Sequence, residues 1–100
     1  MVVQVDMDRV VSLLTQTEKK TIYLILRELD LTNENAQSTL NISAFRQENG
    51  VHRALMASSF KVLTLLDLIS VASLGSNGTL IYVRNAEACE EMKKILASCV

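Results

Sequence analysis

The chain has 100 residues, the size of one ordinary domain, so a single hydrophobic core is expected. Apolar residues make up 49% of it, aromatic residues only 4%, and proline is absent, which argues against a disordered chain and predicts a core of Leu, Ile, Val and Met. Ten basic and eleven acidic residues give a net charge of −1, which excludes a global basic field and leaves only the local distribution of cations to attract phosphates.

The first predicted helix covers residues 2–14, where apolar residues fall at a mostly helical spacing. A clearer boundary follows, because Thr15 and Glu18 form a capping box in which each side chain satisfies a free amide of the first turn. A second helix is therefore expected over about 15–29, with one buried apolar stripe. The polar stretch at 30–39 is rich in side chains that compete for backbone hydrogen bonds, and it predicts the longest loop of the chain.

A short helix is predicted at 42–48, and Asn49 and Gly50, which tolerate positive φ, are expected to end it. The next helix, at about 53–67, is the most informative. At 100° per residue its bulky apolar side chains crowd one side. The other side, called the cationic face below, consists of Arg53, Ala54, Ala57, Ser58, Lys61 and Thr64. Short residues let a helix lie close to another surface, and Arg and Lys suit phosphates and guanine.

Two strands are predicted at 68–74 and 79–84, joined through Asn77 and Gly78. Asn-Gly is a strong hairpin signal, because a tight primed turn needs positive φ at both central residues. Asn85 then caps a last helix with acidic residues near its start and lysines near its end. The sequence therefore predicts a mainly α domain with a small β-hairpin (α+β), in which a helix-turn-helix precedes the hairpin as in a winged helix-turn-helix.

Several short sequences in these elements resemble the CodY family, the global transcriptional regulators of low-GC Gram-positive bacteria. They are VVQ at 2–4, LTQTE at 14–18, LREL at 26–29, GVHR at 50–53 and SLGSNGT at 73–79. The last of these is the most specific. The family pattern lies over residues 41–95 without a gap, whereas the loop near 32–39 holds a few additional residues.

The resemblance implies a winged helix-turn-helix domain that binds operator DNA as a homodimer and represses, or sometimes activates, genes of amino-acid metabolism and stationary phase. In the family an N-terminal GAF domain senses branched-chain amino acids, and many members also respond to GTP. Nothing in this chain corresponds to that sensor, so no cofactor is expected. Residues 1–14 are interpreted as the end of an interdomain linker helix and 15–100 as the DNA-binding domain, either excised or a free-standing small relative.

The family's DNA-reading positions carry over unevenly. Arg53 is retained, and Lys61 keeps the charge of a position that holds arginine in the family. Ala54 and Ser58 stand where the family has serine and asparagine, and Ala44 replaces a lysine. The candidate DNA-binding residues are Ser43, Ala44, His52, Arg53, Ala54, Ser58, Lys61, Ser76 and Asn77. The base preference is therefore expected to differ from that of the family.

Asp67 is a further departure from the family, which has a glycine where the recognition helix ends. This substitution is expected to be tolerated, because Asp visits the left-handed region more readily than most residues. The departures from the family pattern are therefore expected to change the sequence specificity of the domain more than its fold.

A structural interpretation stands beside the functional one at most of the candidate positions. Arg53 either reads a base or phosphate or forms a surface ion pair, and Lys61 is either a phosphate contact or an ordinary surface lysine. Ser76 and Asn77, at the hairpin tip, would touch the minor groove or the backbone, although turn geometry alone explains the Asn-Gly pair. His52 either donates to a phosphate or fills the turn.

No arrangement for catalysis is evident, because one histidine and two cysteines far from it along the chain supply no nucleophile, base and orienting group. An enzyme is therefore not expected. The stronger alternative to DNA binding is a winged helix used only for protein contacts or dimerisation. Dimerisation is itself expected from the apolar residues of the first helix, which exceed the needs of one small core, and from the symmetry usual for such regulators.

Cys89 and Cys99 are interpreted as reduced thiols, because two cysteines and one histidine provide neither a metal-ligand set nor a disulfide framework. No apolar run approaches the roughly 20 residues that span a bilayer, and no basic segment followed by an apolar one opens the chain. The expected location is therefore the cytoplasm, without membrane contact. Because no secretion signal is evident, the N-glycosylation patterns that begin at Asn41 and Asn77 are attributed to chance.

Overall fold

The computed structural model describes residues 6–33, 35–73 and 78–99, which form five α-helices and a three-stranded antiparallel sheet. In chain order they are α1 Met7–Ser12, α2 Gln16–Thr32, β1 Gln37–Leu40, α3 Ile42–Asn49, α4 Arg53–Leu65, β2 Ile69–Ser73, β3 Thr79–Val83 and α5 Ala86–Ala97. The α+β class predicted from the sequence is confirmed. Across these residues, no helix has both the length and the apolar character needed to cross a bilayer.

Side-chain caps start the helices where the sequence predicts. Thr15 Oγ1 accepts a hydrogen bond from the Glu18 amide at 3.1 Å, and Glu18 Oε1 accepts one from the Thr15 amide at 3.0 Å. The predicted capping box at the start of α2 is therefore confirmed. Asn85 caps α5 in the expected way, because its Oδ1 accepts from the Ala88 amide at 3.0 Å.

Left-handed residues follow α3 and α4, also as predicted. Gly50 has φ +63° and directs the chain from α3 into the turn that leads to α4. Asp67 has φ +57°, so this aspartate adopts the left-handed conformation that was expected to be tolerated there. Its Oδ1 accepts a hydrogen bond from Arg84 Nε at 2.7 Å. The recognition helix of the sequence prediction thus ends slightly earlier than expected, at Leu65.

The predicted loop at 30–39 is wrong at both ends, and among its described residues only 33, 35 and 36 lie outside a helix or strand. α2 continues past its expected end, and a short strand, β1, follows and pairs antiparallel with β3, giving the strand order β1-β3-β2. Only Ser38 and Leu40 of this strand are buried, and the Ser38 hydroxyl donates to the Leu29 carbonyl at 3.0 Å. A polar stretch therefore becomes a strand because a distant partner and a satisfied buried hydroxyl outweigh its local preference for a loop.

The predicted hairpin is present in the described residues as β2 and β3, which pair antiparallel with Ile69 opposite Val83 and Ser73 opposite Thr79. Its tip, including Ser76 and Asn77, lies outside the described residues. So do residues 1–5 of the first predicted helix, of which α1 is the described part.

The core lies between the helices and one face of the sheet. α2 packs against α4, α5 and β1, while α1 packs against α5 and α4 against β2. The largest fully buried apolar side chains are Ile22, Ile25, Leu63, Leu68, Ile69, Ile81, Met92 and Leu96. Because Leu63 points inward, the opposite side of α4 is turned away from the core.

Replacing Gly50 with alanine is expected to lower the free energy of unfolding by about 1 kcal/mol. Among the described atoms none lies within 4 Å of a Cβ added at Gly50, so the left-handed backbone alone causes the loss. Thermal unfolding followed by circular dichroism measures this loss, because each kcal/mol lowers the melting temperature of a domain of this size by about 4–8 °C. The reciprocal control is Ala36→Gly at an exposed residue with φ +63°, which should not lower stability. A Gly50→Ala variant as stable as the parent would contradict a left-handed residue at this turn.

Candidate nucleic-acid interface

The cationic face of α4 lies on the surface of the domain. Arg53, Ala54, Ala57, Lys61 and Thr64 are exposed, and Ser58 is half-buried. The opposite side of α4 buries Met56, Ser59 and Leu63. The buried Ser59 hydroxyl donates to the Leu55 carbonyl at 2.8 Å, so burial leaves no unsatisfied polar group there. The two sides of α4 therefore divide as the 100° spacing predicts.

A turn at residues 50–52 joins α3 to α4 and is held by Arg46, near the end of α3. The Val51 amide donates to the Arg46 carbonyl at 3.0 Å, and Arg46 Nε donates to the Val51 carbonyl at 3.0 Å. Two shallow clefts open beside this turn, and Ser43, Arg46 and Arg53 line both of them. The turn thus brings a hydroxyl and two guanidinium groups to one surface.

Charge is distributed unevenly along the chain. Residues 35–66 contain three basic residues, Arg46, Arg53 and Lys61, against one acidic residue, Glu48, a formal charge of +2. The rest of the chain has seven basic and ten acidic residues, a formal charge of −3. A net charge near zero therefore conceals a cationic segment that includes α3, the turn and α4.

The intramolecular ion pairs involve basic residues outside α3 and α4. Arg84 pairs with Asp67 at 2.7 Å, and Lys93 pairs with Asp30 and Glu90. Within the ranges that the structure describes, the salt bridges include none of Arg46, Arg53 and Lys61. These three charges are therefore available to an external anion, and the surface ion pair considered for Arg53 is not formed there.

The start of α4 adds partial positive charge to the same surface. His52 is its N-cap residue and is exposed, and no side-chain hydrogen bond caps this helix within the described structure. The first amides of α4, which begins at Arg53, therefore have no side-chain acceptor among the described residues. Free amides and the helix dipole favour an anion at such a position.

The candidate residues fall into three groups. Ser43, His52 and Arg53 come together around the turn and line the same cleft. Ala54, Ser58 and Lys61 continue along α4, where the Ser58 hydroxyl donates to the Leu55 carbonyl at 3.1 Å. Ala44 is half-buried, and its amide donates to Asn41 Oδ1 at 3.0 Å, which caps α3. Ser76 and Asn77 lie outside the described residues.

Arg46 is the residue that the sequence prediction missed. A single arginine on a short helix is typical of any solvated surface, so its type alone gave no signal. The available signal was its position in the last turn before Gly50, where a long cationic side chain can reach carbonyls beyond the end of the helix.

The two cysteines are not bonded to each other. Cys89 is half-buried, and this burial, with the nearby Glu90 carboxylate, raises its pKa to about 11. Its thiol is therefore protonated at neutral pH and is a weak nucleophile. Cys99 is exposed, and no group of three or more potential metal ligands occurs in the described part of the chain.

The chain matches no model of a protein family, and no curated protein matches it. The functional interpretation therefore depends on the geometry and charge of α3, the turn and α4.

Proposed function

We propose that this chain is a winged helix-turn-helix domain that binds double-stranded operator DNA as part of a bacterial transcriptional regulator, a nutrient-responsive repressor resembling the CodY family. α4 would enter the major groove, and the β2–β3 hairpin would lie on the flanking backbone. The observation that carries this proposal is the exposed cationic face of α4, which follows a three-residue turn and has no acidic residue.

The order of the elements supports the same function. Two helices joined by a turn of three or four residues that contains glycine are typical of the helix-turn-helix, and α3 and α4 meet this description. A strand before α3 that joins the hairpin in one sheet is the arrangement of winged domains, and β1 pairs with β3 in this way. Fold alone does not determine function, so the charge on α4 carries the greater weight.

Two copies are proposed to bind pseudo-palindromic half-sites whose centres lie roughly 34 Å apart or a multiple of it. Twofold symmetry is usual for such regulators. On α1's C-terminal side, Leu13 is 78% exposed, which is consistent with an apolar contact to a second copy. Sedimentation of the protein with a selected duplex measures the stoichiometry, and one protein per palindromic site would contradict this part of the proposal.

DNA affinity is expected to fall steeply with salt. Arg46 and Lys61 would neutralise about two phosphates per protomer, while Arg53 contacts a base, so raising salt from about 50 to 200 mM should weaken binding of one protomer about 12-fold. A duplex selected from a random pool, titrated by fluorescence anisotropy, gives the slope.

A matched pair of lysines locates the origin of that salt dependence. Lys61→Gln should reduce the slope by about one per protomer, whereas Lys94→Gln, at an exposed residue of α5, should leave it unchanged. Equal slopes in the two variants would show that Lys61 does not contact a phosphate.

One feature favours a second candidate, a protein-interaction or dimerisation module that does not bind DNA. Leu65, the last residue of α4, is 74% exposed and lies one turn beyond Lys61 on the same side of the helix. An apolar partner would cover such a side chain more favourably than water does. Binding through it would be insensitive to salt, so the same titration separates the two functions.

A further inference from the structure

We propose that Arg46 makes two contacts at once in the DNA complex. Its Nε holds the turn through the Val51 carbonyl, and its terminal Nη groups bind a phosphate of the DNA backbone beside the start of α4. This inference rests on the proposed DNA-binding function and adds to it a residue that both positions α4 and contacts the ligand.

The first contact is present without DNA. Arg46 and Val51 exchange two hydrogen bonds across the turn: the Val51 amide donates to the Arg46 carbonyl, and Arg46 Nε donates to the Val51 carbonyl, both at 3.0 Å. Together they close a ring around Gly50, the left-handed residue that ends α3. Arg46 therefore fixes the path of the chain from α3 into α4.

The second contact would use the N–H donors of Arg46 that the first contact leaves free. A guanidinium has five N–H donors, and the bond to Val51 occupies one of them. In the described structure the side chain of Arg46 makes no other hydrogen bond and no ion pair. The four remaining donors belong to the two Nη groups, a pair that matches two oxygens of one phosphate.

The surroundings of Arg46 favour an anion from outside the chain. Arg46, Ser43 and Arg53 line both clefts beside the turn, so residues with a hydroxyl donor and a second guanidinium share these clefts with Arg46. The neighbouring start of α4 has no side-chain cap among the described residues. On a DNA-binding surface the available anion is the backbone phosphate. A contact to it fixes the register of the protein on the duplex and does not depend on the base sequence.

Two substitutions separate the two contacts. Glutamine places Nε2 the same number of bonds from Cα as arginine places Nε, so Arg46→Gln retains a donor for the Val51 carbonyl and loses the charge. Lysine retains the charge on one ammonium, so Arg46→Lys cannot hold the turn and a phosphate in the same geometry. Arg9→Gln, at an exposed arginine of α1, is the control for the loss of a positive charge.

The experiment measures thermal unfolding of each variant and its affinity for a selected duplex and for random duplex DNA at several salt concentrations. Arg46→Gln should unfold near the parent temperature, lose about 0.9 from the salt slope per protomer, and bind roughly eightfold more weakly at 0.1 M salt. The loss should be equal on both duplexes, because a phosphate contact does not read sequence. Arg46→Lys should keep the parent slope and unfold at a lower temperature.

Three results would overturn the inference. Parent affinity and slope in Arg46→Gln would remove the phosphate contact. A lower unfolding temperature in Arg46→Gln with an unchanged slope would leave Arg46 a structural residue only. The same change of slope in Arg9→Gln would make the effect one of total charge. Failure of the parent protein to bind any duplex would instead refute the proposed function, and it is recognised before any variant is compared.

Discussion

Replacing Arg53 with alanine is expected to weaken binding to the selected duplex by about 1–3 kcal/mol and to relax the preference for one base pair. Arg53 is the first residue of α4, where helix-turn-helix proteins direct side chains at base edges. It is exposed and forms no ion pair in the part of the chain that the structure describes, so no intramolecular contact has to break before it binds. A guanidinium fits the O6 and N7 acceptors of guanine with two hydrogen bonds.

Random duplex DNA is the comparison that identifies what Arg53 contacts. If Arg53 reads a base, the alanine variant should lose much less affinity for random DNA than for the selected duplex, whereas a phosphate contact would weaken both equally. Arg27→Ala, at an exposed residue of α2, removes the same side chain elsewhere and should change neither affinity. Unchanged binding to the selected duplex by Arg53→Ala would remove this residue from the interface.

Local sequence signals predicted most of the elements around this surface. The capping box at Thr15, the cap at Asn85 and the left-handed residues Gly50 and Asp67 each depend on hydrogen bonds or dihedral angles within a few residues. The two sides of α4 were predictable because helical spacing decides which side chains share a side. These signals need no knowledge of the tertiary structure.

The features that the sequence did not predict depend on partners far along the chain. β1 pairs Gln37 with Tyr82, and only the pairing shows that Ser38 belongs to the core. Arg46 acquires significance only when the turn brings its Nε to the Val51 carbonyl and its side chain into the same cleft as Arg53. Single-residue types and local spacing contain neither relation, because both arise from the packing of elements that are separate in the sequence.

Replacing Leu63 with alanine is expected to lower the free energy of unfolding by about 2–5 kcal/mol. Leu63 is fully buried on the core side of α4, so its truncation removes apolar contacts and leaves a cavity. For a domain whose total stability is typically about 5–15 kcal/mol this is a large share. Urea denaturation followed by circular dichroism measures the loss through the midpoint, with the dependence on urea unchanged.

Leu65→Ala is the matched control on the same helix, because Leu65 is 74% exposed and its truncation should change stability by less than about 0.5 kcal/mol. The two leucines are two residues apart, about 200° around the helix, so the pair measures which way α4 faces. If Leu65→Ala lowered the free energy of unfolding strongly and Leu63→Ala left it unchanged, α4 would be rotated and the cationic face would lie inside the core. DNA binding by that face would then be impossible, because Arg53 and Lys61 would have to leave the core before they could meet a phosphate.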